Sequence, residues 1–418
     1  MNAKERGRRR FLKEGAALAG LAAGAIRSAS GQTLASEISD VRPQDTRAYG
    51  ERSRFETTVR TPPGTLSIST PLQDSMGIIT PSALHFAAIH YNVPTIDPRQ
   101  HRLLIHGLVD RPLIFTLEEL KRLPSVSRIH FVECGGNTSP RSVVERRGAG
   151  ADTIHKTHGN TGCSEWTGVP LSLLLQEAGV QKGARWLIAE GADAGKHAMS
   201  IPLEKALGDA LVAYGQNGEA VRPEQGYPFR LLVPGWVGVR NVKWLRRIKV
   251  VEQPFMTKHE TTSYVSLYPK LDGKTRWFQF EWGPKSVITF PSAGQRLPGR
   301  GFYEISGLAW SGGGTIRRVE VSTDGGRSWK EAQLQEPVLR IAHTRFRFPW
   351  NWDGEEAVIQ SRCTDDRGEV QPTIDEMAEM WGVKTDFFQT TQNSVILWNI
   401  IYPWKVTREG SVLNALFS

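Results

Sequence analysis

Apolar and polar positions change their rhythm along this chain. From about residue 71 to residue 251, short strand-like runs alternate with helical ones. His101 to Val109 carries its apolar side chains as a strand does. Thr116 to Leu123 opens as a helix, with a hydroxyl at the N-cap position and Glu119 three residues on to complete a capping box. Arg128 to Glu133 is another strand, and it runs into the loop Cys134-Gly135-Gly136-Asn137. Pro170 to Ala178 is an apolar helix, and Arg230 to Val233 is a strand stopped by Pro234-Gly235. This alternation predicts an α+β domain.

From about Ser286 the period shortens. Phe302 to Ala309, Ile316 to Ser322 and Ala357 to Arg362 read as short alternating strands, and turn residues such as Asp324-Gly325-Gly326 separate such runs. Short strands with regular turn signals predict a β-sandwich. Residues 32–70 are polar and rich in Arg, Thr and Pro, which reads as an extended arm. The tail from about Asp386 carries Trp398, Tyr402 and Trp404, so it either wraps a domain or meets a partner. The expected organisation is a leader over 1–30, an arm over 31–70, an α+β domain over 71–280, a sandwich over 281–390 and a tail over 391–418.

Composition changes the picture at one point. The chain has 418 residues and a formal charge of +9. Much of that excess sits at the front, in Lys4, Arg6, Arg8, Arg9, Arg10, Lys13 and Arg27. The remaining body is only mildly basic, which argues against nucleic acid as a partner. The front reads instead as an address. Arg8-Arg9-Arg10-Phe11-Leu12-Lys13 precedes an apolar run from Gly15 to Ile26 that is too short to span a bilayer. The paired arginines resemble a twin-arginine export signal, which predicts a periplasmic protein. No later stretch is long and apolar enough to be a membrane helix. The three cysteines, Cys134, Cys163 and Cys363, form neither a CxxC pair nor a haem-attachment motif. Free thiols are unusual in an exported protein, so at least one invites a functional explanation.

Ordered blocks from about Pro71 to Thr373 resemble the sulfite oxidase family of molybdopterin enzymes. Phe131-Val-Glu-Cys134-Gly-Gly-Asn137 is similar to the segment in which a cysteine precedes a small-Gly-Asn run. Ser164-Glu-Trp166-Thr-Gly168-Val-Pro-Leu171 and the block from Tyr227 to Leu245 follow in the family order. Gly307-Leu-Ala-Trp310-Ser311 and Val319 to Trp329 look like its immunoglobulin-like dimerisation domain. Within the family, Pro81-Ser-Ala-Leu-His85-Phe86, Ile105-His-Gly-Leu-Val109 and Tyr214-Gly-Gln-Asn-Gly-Glu219 look most like the molybdenum subunit of sulfane dehydrogenases.

The resemblance implies a molybdenum–molybdopterin cofactor with Cys134 as the metal ligand. A thiolate is a soft donor suited to such a centre, and small neighbours let the backbone approach a bulky group. Cys163 and Cys363 do not fall on the ligand position and read as packed thiols. The resemblance also carries cofactor contacts onto His90, Asp193, Arg230 and Lys243, with Arg240 in the same block. Gln225 stands where many relatives have His, and it offers a hydrogen bond without a charge. Tyr264 aligns with the family's active-site tyrosine, whose phenol can donate to an oxyanion.

Two departures bear on the substrate. Ala88 stands where many relatives carry Arg, and Thr138-Ser139 stand where sulfite oxidases have Arg-Arg. Arg141, Arg146 and Arg240 are the candidates to replace those cations. The implied activity is oxidation of a reduced sulfur compound, either a sulfane on a carrier protein or a small sulfur oxyanion. With no haem or iron–sulfur motif in the chain, electrons would pass to a c-type cytochrome subunit. The implied assembly is a homo-oligomer or a two-plus-two hetero-oligomer. The alternatives are a free sulfite dehydrogenase and a structural subunit without catalysis.

Overall fold

A computed structural model describes residues 49–50, 52–60, 67–138, 153–267, 276–390 and 397–416. The leader expected over residues 1–30 lies outside the described residues, as do Ser139, Arg141 and Arg146. The chain divides into residues 1–57 and residues 58–418. Among its described residues the first unit has neither helix nor strand. All helices and strands among the described residues lie in the second.

The α+β part contains two five-stranded sheets. One runs in the order Leu113–Phe115, Leu103–Gly107, Leu245–Val251, Trp186–Gly191, Ala198–Pro202. Its central pair is parallel, with Ile105 opposite Ile248. The other sheet lays Leu211–Gln216 between Glu219–Ala220 and the long strand Thr161–Pro170, which pairs with Val126–Glu133. Arg230–Leu232 also pairs with Leu211–Gln216. The expected helices form at Leu117–Arg122 and Leu171–Ala178. Thr116 and Glu119 make the full capping box, which satisfies two orphan N–H groups. Leu120, Leu174 and Leu175 pack from the helices onto Leu103, Leu187, Phe229 and Ile248.

The second part is a sandwich. Its four-stranded sheet is ordered Lys285–Phe290, Gly301–Trp310, Thr344–Trp352, Gln333–Gln335. Alternation is clearest on Thr344–Trp352, where Phe346, Phe348, Trp350 and Trp352 turn inward and Arg347 turns out. The facing sheet is ordered Lys330–Glu331, Ile316–Ser322, Ala357–Asp365, Trp404–Val406, Val412–Asn414. Cys363 is buried in it, and Cys163 is buried in the first domain.

The tail wraps. Trp398, Tyr402 and Trp404 are fully buried, and the last two strands extend the sandwich sheet beyond Ala357–Asp365. Sequence patterning leaves these strands outside the sandwich because each is only three residues long. Among the described residues no helix is long and apolar enough to cross a membrane.

Candidate active site

The site grows from strand ends. The strand Val126–Glu133 delivers Cys134 to its C-terminal edge, where the chain turns through Gly135 and Gly136. Gly238 presses on this turn from the facing loop: a Cβ there would lie 2.7 Å from the Glu133 carbonyl oxygen and 3.2 Å from the Cys134 Cα. Only glycine permits that approach. Cys134 faces a cleft that is partly open to solvent. Burial raises its thiol above the usual range, while the Gly136 N–H and Lys243 pull the other way.

Two cations crowd the same cleft. Arg230, at the start of Arg230–Leu232, is buried; its Nη1 donates to the Gln225 carbonyl at 3.0 Å and its Nη2 to the Asn241 carbonyl at 3.0 Å. Its Nε has no partner. The guanidinium also lies 5.1 Å above the Trp166 ring. Lys243 Nζ donates to the carbonyls of Ala88 and Glu224 at 2.9 and 2.8 Å. Burial, then the neighbouring Arg230, depresses its ammonium to about 7, and burial alone takes Arg230 down to about 9. Carbonyl dipoles hold these groups without neutralising them, which is the electrostatic shape of an anion site.

The remaining expected residues fall around the cleft with one exception. His90, Asp193, Gln225 and Tyr264 line it. Gln225 Nε2 donates to the Phe86 carbonyl at 2.6 Å, so the amide braces the wall. Asp193 Oδ1 accepts the His197 N–H at 2.8 Å and shapes its loop. Tyr264 Oη lies 3.3 Å from His90 Nε2. Burial and Cys134 push the phenol well above its ordinary value, so it stays a proton donor. Arg240 turns away. Its guanidinium is wholly buried against Glu260, with Nη1 at 3.0 Å from Oε1 and 2.6 Å from the Ser200 carbonyl. In the tight turn Gly238–Arg240, its neighbours Val239 and Asn241 face the cleft instead.

Sequence reasoning found His90 but not the two imidazoles that gather on it, His197 and His259. His197 stacks on His90 at 5.4 Å, and His259 sits 4.7 Å from His90 and 4.8 Å from His197. Burial, followed by mutual repulsion, holds His90 and His259 below their ordinary range. They come from a loop, a strand connection and a short helix, so no local motif links them. Ala88 lines the cleft as well, whereas Thr138 is buried outside it and binds Lys285 Nζ through its hydroxyl.

A soft thiol opposite an unneutralised Arg and Lys, with an orphaned guanidinium N–H, fits the metal end and the phosphate end of molybdopterin. These features define a molybdopterin-binding oxidoreductase. Residues 90–259 match the oxidoreductase molybdopterin binding domain, and residues 277–393 match the Mo-co oxidoreductase dimerisation domain. The sulfite oxidase of Gallus gallus is 32% identical over 73% of this chain and 70% of its own length. The NADH nitrate reductase of Solanum lycopersicum is 32% identical over 71% of the chain, which spans only 36% of that protein. The crystal structure of the sulfane dehydrogenase SoxCD from Paracoccus pantotrophus superposes with a TM-score of 0.81 at 39% identity, covering 90% of this chain and 95% of the matched one. The chain belongs to the sulfite oxidase family, and its cofactor is the molybdenum–molybdopterin of that family.

Proposed function

We propose that this protein is a SoxC-like sulfane dehydrogenase subunit. It oxidises sulfane sulfur held on a carrier protein and passes electrons to a c-type cytochrome. The observation that carries this reading is the cleft wall: Ala88, not a cation, faces the site, and Thr138 is committed to Lys285. Arg240 does not replace them, because Glu260 already holds it. A carrier-bound substrate draws binding energy from its protein surface and depends less on such charges. The likeness to SoxCD over nearly the whole matched chain supports the same reading.

The substrate sulfur gains an oxygen that derives from water, and two electrons and two protons leave. The cofactor supplies oxygen-atom transfer and takes up the electron pair. Cys134 would bind the metal. Arg230 and Lys243 would hold the phosphate, with His90, Asp193 and Gln225 shaping the wall around the pterin. Tyr264, kept protonated by burial, donates to the oxygen being transferred. Among these 418 residues there is no haem-attachment motif, and a c-type cytochrome takes the electrons in this proposal. We assign the sandwich to self-association, within a homo-oligomer or a two-plus-two assembly. We assign the segment around Arg8-Arg9 to an export signal and the reaction to the periplasm.

Steady-state kinetics with cytochrome c and either substrate tests the proposal. Two charge-assisted contacts contribute roughly 1.5–3 kcal/mol each, so losing both weakens a small dianion by about two to four decades. Free sulfite should therefore saturate poorly and a carrier-bound sulfane well. Tight, efficient use of free sulfite would instead make this a sulfite dehydrogenase. Bound molybdenum without turnover of either substrate would make it a structural subunit.

A further inference from the structure

The carboxylate one residue before the proposed metal ligand is held by the other domain. Glu133 is fully buried, and its Oε1 accepts from Lys285 Nζ at 2.6 Å and from Asn137 Nδ2 at 2.8 Å. Its Oε2 accepts from Trp310 Nε1 at 2.7 Å. Lys285 and Trp310 are register partners on adjacent sandwich strands, so one sheet end presents both donors together. Lys285 Nζ also donates to Thr138 Oγ1 at 2.6 Å. Two sandwich side chains thus grip the cysteine turn on either side of Cys134, at Glu133 and at Thr138. The turn closes on itself through the Asn137 N–H to the Cys134 carbonyl at 2.9 Å. Gly238 packs against the same turn, close enough that a Cβ there would meet the Glu133 carbonyl at 2.7 Å.

Such a clamp exceeds what joining two domains requires. A buried ion pair gains little stability over apolar packing, whereas it fixes geometry closely. We infer that Lys285 and Trp310 are positioning residues: from the sandwich domain they set the orientation of the Cys134 side chain towards the metal. The inference rests on Cys134 as the ligand. Removing Lys285 leaves Glu133 without its cation and Thr138 without its donor, so the turn shifts and carries the sulfur with it.

The test compares wild type with Lys285→Met, Trp310→Phe and Trp352→Leu, each as holoenzyme at equal molybdenum content. Trp352 is buried at the far end of the same sheet, so its variant reports loss of sandwich stability alone. The readouts are the thiolate-to-metal charge-transfer absorption, which follows the torsion about the cysteine sulfur, and the kinetic constants. Lys285→Met should shift the band and lower kcat by about tenfold or more, because small misplacements of reacting groups are costly. Its KM should stay within about twofold, as expected when substrate binding is untouched. Trp310→Phe removes the indole donor together with part of a buried ring, so it also costs packing, and it should move both readouts the same way, by about threefold in kcat. Trp352→Leu should lower the melting temperature and leave the band in place.

A second arm uses cofactor-free protein. The rate of Cys134 alkylation should rise about tenfold in Lys285→Met, since access governs thiol reactivity. Cys163 and Cys363 are buried and serve as internal controls. If Lys285→Met fails to fold, Trp310→Phe carries the same readouts. Unchanged band, kcat and alkylation in the folded variants would overturn the inference, as would an equal band shift in Trp352→Leu. Cys134→Ser that keeps its metal and its activity would overturn the ligand assignment instead, whatever Lys285 does.

Discussion

Arg230 should oppose folding of the empty protein and yet be required for the cofactor. Its guanidinium is almost wholly inaccessible, donates only to carbonyl oxygens, and is drawn down by burial to about 9. At neutral pH it remains charged, so holding it there costs roughly 5 kcal/mol in the cofactor-free state. Arg230→Met removes that cost. It also strands the carbonyls of Gln225 and Asn241, each worth about 1–3 kcal/mol. The cofactor-free variant should therefore unfold in urea at a midpoint equal to or above that of wild type. A bound phosphate recovers the cost in the native protein. Losing Arg230 should accordingly weaken cofactor affinity by up to about 5 kcal/mol, between three and four decades. Urea unfolding of cofactor-free protein, with cofactor content of the purified protein, measures both arms. A variant that is more than about 2 kcal/mol less stable when empty, yet retains full cofactor, would refute the reasoning.

Further predictions follow from neighbouring residues. Cys134→Ser should abolish turnover and leave the fold intact, because Ser matches the shape but is a poor soft ligand; near-normal activity with bound molybdenum would remove Cys134 from its role. Glu260→Gln leaves Arg240 buried without its counter-charge and should cost about 3–5 kcal/mol in urea unfolding; a loss below about 1 kcal/mol would mean the pair is not isolated from water. Buried His85 and His343 are both held down to about 3 by burial. Above about pH 7.5 both are neutral, folded or unfolded, and contribute almost nothing to the pH dependence. Between about pH 6 and pH 4 only the unfolded chain takes up these two protons, so stability should fall by about 2.7 kcal/mol per pH unit. His343→Gln should halve that part of the slope; an unaltered slope would show that His343 titrates alike in both states.

Local signals were legible and distant ones were not. The capping box at Thr116 and Glu119 lies within one helical turn, and it forms as its spacing predicts. The cysteine turn was equally plain, because a strand, a Cys and two Gly residues are contiguous. Arg230 and Lys243 could be tied to the cleft through their block, but Arg240 in that block could not be told apart from them. A tight turn separates them: Val239 and Asn241 line the cleft, while Arg240 between them is taken by a buried Glu260 twenty residues later. The His90, His197 and His259 cluster stayed invisible for the same reason, since its members meet only after three separate segments fold. The grip of Lys285 and Trp310 on Glu133 joins positions 152 and 177 residues apart, and no periodicity reports such a pairing.

The two strands contributed by the tail also set an order on biosynthesis. Ala357–Asp365 pairs on one side with Ile316–Ser322 and on the other with Trp404–Val406. A ribosome that has finished Asp365 has therefore left one edge of the sandwich open. That edge offers unpaired backbone groups to any other extended chain until residues 404–414 emerge and close over it. Chains stopped short of Trp404 carry an adhesive border, and chains that pass Asn414 have it covered. Shortened versions of this protein should thus be recovered as aggregates rather than as smaller folded enzymes, and affinity tags are better tolerated beyond Asn414 than in place of those strands.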